Sequence, residues 1–241
     1  MSYPIKPTVF KENPYQDEWF DTDFIYSPDG IQSYPEHHCK LTFEKSLPYI
    51  ENFRVALDIG CRDGEYSRYL QKKFERVYGF DVNRKKYFPY NVDLKKTTHF
   101  TCGLGDKEGT LLMSGGTHKH VKGKMKEHPV FTLDSFEFEN VDYIKIDVEG
   151  YERRVLIGGE QTIRKYRPLI IIEQNDVQLP DEEPFAAKKW LEDLGYVHVA
   201  TCPRGWDHIM QAPERLKLTS PRKKVDAGFL KKALNAFRLR T

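Results

Sequence analysis

The chain has 241 residues, 39% apolar and 31% charged, with a formal net charge of +2. That length holds one α/β domain with appendages and is short for two. The composition suits a folded core, and the near-neutral charge gives the whole chain no polyanion-binding signature. No apolar run reaches the roughly 20 residues a membrane span needs, and MSYPIKPTVFKENPY has no signal-peptide apolar core, so a cytoplasmic chain is the expectation. The four cysteines (Cys39, Cys61, Cys102, Cys202) form no C-x-x-C pair and read as reduced thiols.

Residues 1–34 are rich in Pro, Tyr, Phe and Asp and lack periodicity, which predicts an irregular arm. Pro35 suits a first helical turn, and 36–49 reads as a helix. From Val55 the pattern alternates. VALDIG is a strand; EYSRYLQKKF is a helix with Tyr66, Tyr69, Leu70 and Phe74 at helical spacing. VYGFDVN and HFTCGLG are two further strands. GTLLM and VFTLDSF read as extra strands around the loop 113–128, which holds His118, Lys119, His120, Lys122, Lys124, Lys126 and His128. VDYIKIDVEG is a strand, YERRVLIGGEQTIRKY a helix, RPLIIIEQN a strand and FAAKKWLEDLG a helix ending at Gly195. YVHVATC and DHIMQAP close the pattern. Strands alternating with helices predict a mostly parallel central sheet with helices on both faces.

Three regions follow: 1–50, arm and leading helix; 51–212, the α/β domain; 213–241, a basic C-terminal tail. From Glu214 onward nine Lys/Arg stand against two acids, and Leu230, Leu234 and Phe237 fall on one helical face. That amphipathic pattern fits contact with nucleic acid, an anionic membrane surface, a partner, or the chain's own domain.

The strongest local signal is Asp58-Ile59-Gly60-Cys61-Arg62-Asp63-Gly64, leaving a strand and entering a helix. Gly60 permits a tight turn, and Gly64 is expected to let a ligand approach the backbone. The spacing is G-x-x-x-G, not the G-x-G-x-x-G of dinucleotide sites, which present bare N–H groups to a pyrophosphate. An acid at the strand end instead suits the ammonium group of a zwitterion, as S-adenosylmethionine carries. Asp81 closes the next strand 23 residues later, where an acid accepts both ribose hydroxyl hydrogens. The adenine is expected near Cys102, Gly103 and Leu104. Each of these residues also has a plain reading as a turn residue.

Several segments together resemble the FkbM-like family of S-adenosylmethionine-dependent methyltransferases: VALDIGCRDGEYS, VYGFDVN, GLGDKEGTL, TLDSF, IKIDVEGYERRVLIGGEQTIRKYRPLIIIE and WDHIM. They span about 55–210, and IKIDVEGYE is the most specific of them. The resemblance implies a Rossmann-like class I methyltransferase fold that uses S-adenosylmethionine to methylate a hydroxyl of a sugar, lipid or secondary metabolite. The family often has Ala-Asn where this chain has Cys61-Arg62.

A methyl transfer needs the acceptor held in line and, for an alcohol, a base. Asp147 is the first candidate for base or acceptor ligand, and Glu173, ending the next strand, the second. Glu149 is expected on the same side as Asp147 by strand alternation, or as a cap of the following helix. Asp147 and Glu173 suit a divalent cation through oxygen ligands, but no metal ligand set is assigned, and His118-x-His120 is too short a motif for one. The aromatic residues Trp19, Phe20, Phe24, Tyr26 and Tyr34 either lay the arm over the acceptor pocket or cover the outside of the domain.

The main rival is a nucleic-acid methyltransferase. The D/N-P-P-Y/F element of amino-methylating DNA enzymes is missing after Asp147, whereas an RNA ribose or cap methyltransferase stays open because the tail is basic. A nicotinamide dehydrogenase is disfavoured, since Tyr69-x-x-x-Lys73 lies in the first domain helix. A non-catalytic interaction module on the same fold is the third reading.

Overall fold

The computed structural model describes residues 3–11, 24–27, 30–33, 37–83, 86–113, 125–174 and 182–216. Trp19, Phe20, Tyr34, the His/Lys-rich stretch 114–124 and the amphipathic tail from 217 lie outside them.

Where the arm is expected to be irregular, β1 (Phe24–Ser27) and β2 (Gly30–Ser33) pair as an antiparallel hairpin. It is fixed from outside: Asn91 accepts from the Tyr26 N–H (2.8 Å) and donates to the Tyr26 carbonyl (2.9 Å), and Ile25 is buried. A long-range side-chain clamp leaves no local sequence pattern. Residues 3–11 lie against the domain. Tyr3 packs edge-on to Phe100, the Thr8 N–H donates to the His99 carbonyl, and Phe10 stacks on Phe88.

Helix α1 (His38–Ser46) starts where His37 accepts the Cys39 N–H. It tightens into a 3-10 turn over Leu47–Tyr49, since Pro48 has no N–H for an α-helical bond. Then come β3 (Val55–Ile59), α2 (Ser67–Leu70), β4 (Arg76–Asp81), α3 (Phe88–Asn91) and β5 (Thr97–Thr101). Helix α2 is shorter than its predicted stretch. Even so, Tyr66, Tyr69, Leu70 and Phe74 are all buried as the spacing requires.

β6 (Gly103–Leu104), β7 (Gly109–Met113) and β8 (Lys126–Phe131) form a small separate sheet in the order β6-β8-β7. Strand β8 starts inside the segment read as a loop, while Asp134–Phe136 of VFTLDSF is a 3-10 turn. β9 (Val141–Ile146) leads to α4 (Glu152–Gly158) and α5 (Glu160–Tyr166), read as one helix from sequence. The break falls at Gly158-Gly159. A side chain at Gly158 would overlap the Gly105 carbonyl, and one at Gly159 would press on Leu133. The bare backbone lets the small sheet pack close. β10 (Leu169–Glu173), α6 (Ala186–Asp193), β11 (Val197–Thr201) and β12 (Asp207–Gln211) complete the chain.

The main sheet has seven strands in the order β11-β12-β10-β9-β3-β4-β5. All run parallel except β12, which is antiparallel to both neighbours. Alternate residues point to opposite faces. Leu57, Ile59, Ile144, Ile146, Ile170 and Ile172 pack with Val155, Leu156, Ile163 and Leu191 of α4, α5 and α6. Ala56, Tyr143, Leu169, Ile171 and Ile209 pack with Phe43 of α1 and with Tyr69 and Leu70 of α2. Helices therefore cover both faces, and the expected α/β class with a mostly parallel sheet holds. No helix among the described residues is long and apolar enough to cross a membrane.

Candidate active site

Strand order reverses between β3 and β9: β4 and β5 continue on one side of β3, β9 and β10 on the other. Such a switch point opens a crevice at the carboxyl ends of the strands, the usual ligand position in an open α/β sheet. A hollow of about 100 Å³ opens there.

The turn after β3 is built on Gly60, whose φ of +85° is left-handed. A Cβ on Gly60 would overlap the Asp147 carbonyl oxygen, and the Asp147 N–H donates to the Ile59 carbonyl (2.9 Å). The missing side chain thus lets the tips of β3 and β9 meet, which brings Asp147 beside the turn. Gly60 and Cys61 line the hollow. Gly64, expected to admit a ligand, also lets neighbours pack close: a Cβ there would crowd Val92 and Phe88.

The two strand-tip acids differ. Asp58 is buried and accepts a hydrogen bond from the Ser67 hydroxyl (2.5 Å). Burial pushes its carboxyl up to about 7, against the lowering effects of Ser67 and the Lys145 ammonium. Asp81 accepts from the Arg62 N–H (3.1 Å) on one oxygen and from the Asn83 N–H (2.8 Å) on the other. The Cys61 thiol feels both carboxylates, and its pKa is raised by burial first and by Asp58 and Asp81 next. Asp58 and Asp81 lie toward the carboxyl ends of β3 and β4, which run side by side.

The adenine candidates directly follow β5, the strand beside β4, and neither they nor Asp81 line the hollow. Cys102 and Leu104 belong to the core, and Gly103 and Leu104 form β6, paired with β8. Any ligand contact there falls to the backbone and to Gly103.

On the other side of the switch point Asp147 and Glu173 are hydrogen-bonded to each other. Burial and then Asp147's charge push Glu173 up to about 8. Burial also penalises the charged Asp147, but Lys145 and the hydrogen bonds from Glu173 and Lys145 outweigh it and hold the carboxyl low. The two carboxyls thus share their titration, with the charge favoured on Asp147 and the proton on Glu173. Asp147 keeps 35% of its side chain accessible.

Sequence reasoning missed Lys145. Its ammonium lies 3.0 Å from Asp207 and 3.5 Å from Asp147, and the Thr42 hydroxyl donates to the second Asp207 oxygen (2.9 Å). Desolvation opposes the charge on Lys145, but Asp147, Asp207 and Glu173 overcome it and raise its pKa. Strand parity is the signal that finds these residues. Asp58 follows Ala56 at a spacing of two, Lys145 follows Tyr143, Glu173 follows Ile171, and Asp207 precedes Ile209, all on the α1/α2 face. His37, His38, Cys39, Arg62, Glu65 and Tyr66 also line the hollow; no sequence pattern marks the two histidines.

Glu149 departs from the expectation. β9 ends at Ile146, and Glu149 sits in a turn with φ +55°, so alternation does not carry past Asp147. Glu152 does the capping assigned to Glu149, accepting the Val148 and Gly150 N–H groups (both 3.1 Å).

Residues 113–197 match the family model described as the Methyltransferase FkbM domain, which bears out the resemblance carried by IKIDVEGYE. No curated protein matches the chain. Among solved structures, a methyltransferase FkbM from Methylobacillus flagellatus is 19% identical (TM-score 0.46), over 72% of this chain and 47% of that one. The chain thus spans about half the length of that relative. A precorrin-8w decarboxylase from Methanobacterium thermoautotrophicum is 17% identical over 79% of this chain and 97% of its own (TM-score 0.45). A SAM-dependent methyltransferase from Aquifex aeolicus is 17% identical over 73% and 92% (TM-score 0.43).

Proposed function

We propose, from the FkbM match over residues 113–197, that the chain binds S-adenosylmethionine at the switch point and methylates a hydroxyl of a small-molecule or glycan acceptor. The observation that carries this reading is the position of the acids. Asp58 and Asp81 lie toward the carboxyl ends of adjacent parallel strands, and the hollow lined by Asp58 is lined also by Asp147 and Glu173.

The donor set fits such a cofactor. Asp58, a buried carboxyl with a single short hydroxyl bond from Ser67, suits an ammonium group. Asp81 accepts a backbone N–H on each oxygen, and a carboxylate oxygen can accept a ribose hydroxyl hydrogen as well. When bound, the cofactor supplies an electrophilic methyl group on sulfur. The chain's own work is on the acceptor. Asp147, held ionised by Lys145, accepts the hydroxyl proton as the oxygen becomes nucleophilic. Glu173, where the proton is favoured, donates to Asp147 and fixes the orientation of its carboxylate. Alignment of the acceptor supplies up to about 7–11 kcal/mol of the barrier.

The test is a labelled-methyl transfer screen of the full chain against sugars, lipids, RNA and DNA, with Asp147→Asn in parallel. Transfer to a hydroxyl acceptor is expected, with turnover lost in the variant by at least about 100-fold and S-adenosylhomocysteine affinity kept. Full turnover by Asp147→Asn removes Asp147 from the chemistry. No binding of S-adenosylhomocysteine by the intact chain removes the cofactor.

A further inference from the structure

One group of donors on the hollow has no part in methyl transfer. His37, His38 and Cys39 hold their ligating atoms within 4.8 Å of one another, and all three open on the hollow. The Cys39 sulfur is 3.5 Å from His38 Nε2, and the two imidazole centroids are 4.4 Å apart. The backbone explains this convergence. His37 is extended (φ −59°, ψ 134°) and helix α1 begins at His38, so three consecutive side chains gather at the bend instead of fanning around a helix. His37 Nδ1 accepts the Cys39 N–H, so its ligating atom toward a cation would be Nε2.

We propose that His37, His38 and Cys39 bind a borderline-soft divalent cation of the Zn²⁺ class, with its fourth position open to the hollow. Two imidazoles and a thiolate are the donor set such a cation prefers over oxygen-seeking Mg²⁺ or Ca²⁺. Zn–N and Zn–S bonds of roughly 2.0–2.3 Å put tetrahedral donors about 3.4–3.7 Å apart. The His38–Cys39 pair already has that spacing, and the His37 ligating atom lies within 4.8 Å of both.

The hollow carries more carboxyl than cationic residues. Five carboxyl residues line the hollow (Asp58, Glu65, Asp147, Glu173, Asp207) against two cationic ones (Arg62, Lys145). Lys145 is engaged by Asp147 and Asp207. Both imidazoles are held neutral, the ligating form. Burial lowers His37 to about 4, helped by His38, Arg204 and Arg62. Burial also lowers His38, where Asp207 and Asp147 pull the other way. Burial raises the Cys39 thiol, so binding must release its proton to solvent.

The inference stands independently of methyl transfer, and its test uses metal alone. Metal-free full chain is titrated with Co²⁺, followed by Zn²⁺. One Co²⁺ per chain is expected, with a near-ultraviolet thiolate-to-cobalt band and intense visible bands of tetrahedral geometry, both erased by Zn²⁺. His38→Ala should weaken binding at least about tenfold, and Cys39→Ser should remove the thiolate band. His198→Ala, at the separate His198–His208 pair, should change nothing. If Cys39→Ser fails to fold, His37→Ala and His38→Ala, both only half-buried, decide the matter by affinity. Absence of stoichiometric binding overturns the site, as does a thiolate band that survives Cys39→Ser, or binding unmoved by both histidine variants. So does binding lost in His198→Ala.

Discussion

If Asp58 receives the ammonium group of an adenosyl amino acid, affinity for S-adenosylhomocysteine must fall as the solution is acidified through the Asp58 pKa. Burial places that pKa at about 7 in the free protein. Below it, every binding event has to expel a proton, so the Kd climbs tenfold per pH unit, about 1.4 kcal/mol each. Between pH 7.5 and 5.5 the expected weakening is roughly 25-fold. The upper limit is set by the ligand, whose own α-amino group titrates near ~7.7–8.0. In Asp58→Asn the affinity should be poor throughout and this slope absent. Loss of fold does not explain such a result. The folded pKa lies above the ordinary 3.8, so Asp58's contribution to stability is complete below about 4 and lost as pH rises through 7. The ligand-free Asn variant should therefore be the more stable at pH 7.5, by at most about 4 kcal/mol. Calorimetry in buffers of different ionisation enthalpy measures the Kd and the released proton together. A wild-type Kd constant within twofold from pH 5.5 to 7.5 would refute the pairing of Asp58 with an ammonium group.

Two other substitutions test the frame around the site. Gly60→Ala forces a side chain into a left-handed φ and onto the Asp147 carbonyl. The conformation alone costs about 1–2 kcal/mol and the overlap must part β3 from β9. Urea denaturation should show a loss of at least about 3 kcal/mol, and a loss under about 1 kcal/mol would mean that the two strand tips need not touch. Lys145→Met removes the cation between Asp147 and Asp207 and should destabilise by about 3–5 kcal/mol at pH 7.5. That loss should shrink as acid protonates the stranded carboxylates, so a pH-independent penalty would point to packing, not charge.

The local sequence determined a good deal. Mostly apolar runs such as VDYIKI and LIIIE, set among helical patterns, point to a buried parallel sheet, because a strand covered on both faces is largely apolar. Asp58, Asp81, Asp147 and Glu173 were legible because an acid that ends an apolar strand lies at the rim. Lys145 was there to be read as well, the one cation in a six-residue strand buried along its whole length. Tertiary structure alone decided the rest. Register across β3 and β9 made Gly60 a contact point with Asp147, and packing set Gly64 against Val92 and Phe88. The bend before α1 put His37, His38 and Cys39 beside carboxylates more than a hundred residues away in the chain. Periodicity reports which face of an element is buried; it carries no information on which elements become neighbours, because that follows from how the chain closes distant segments into one core.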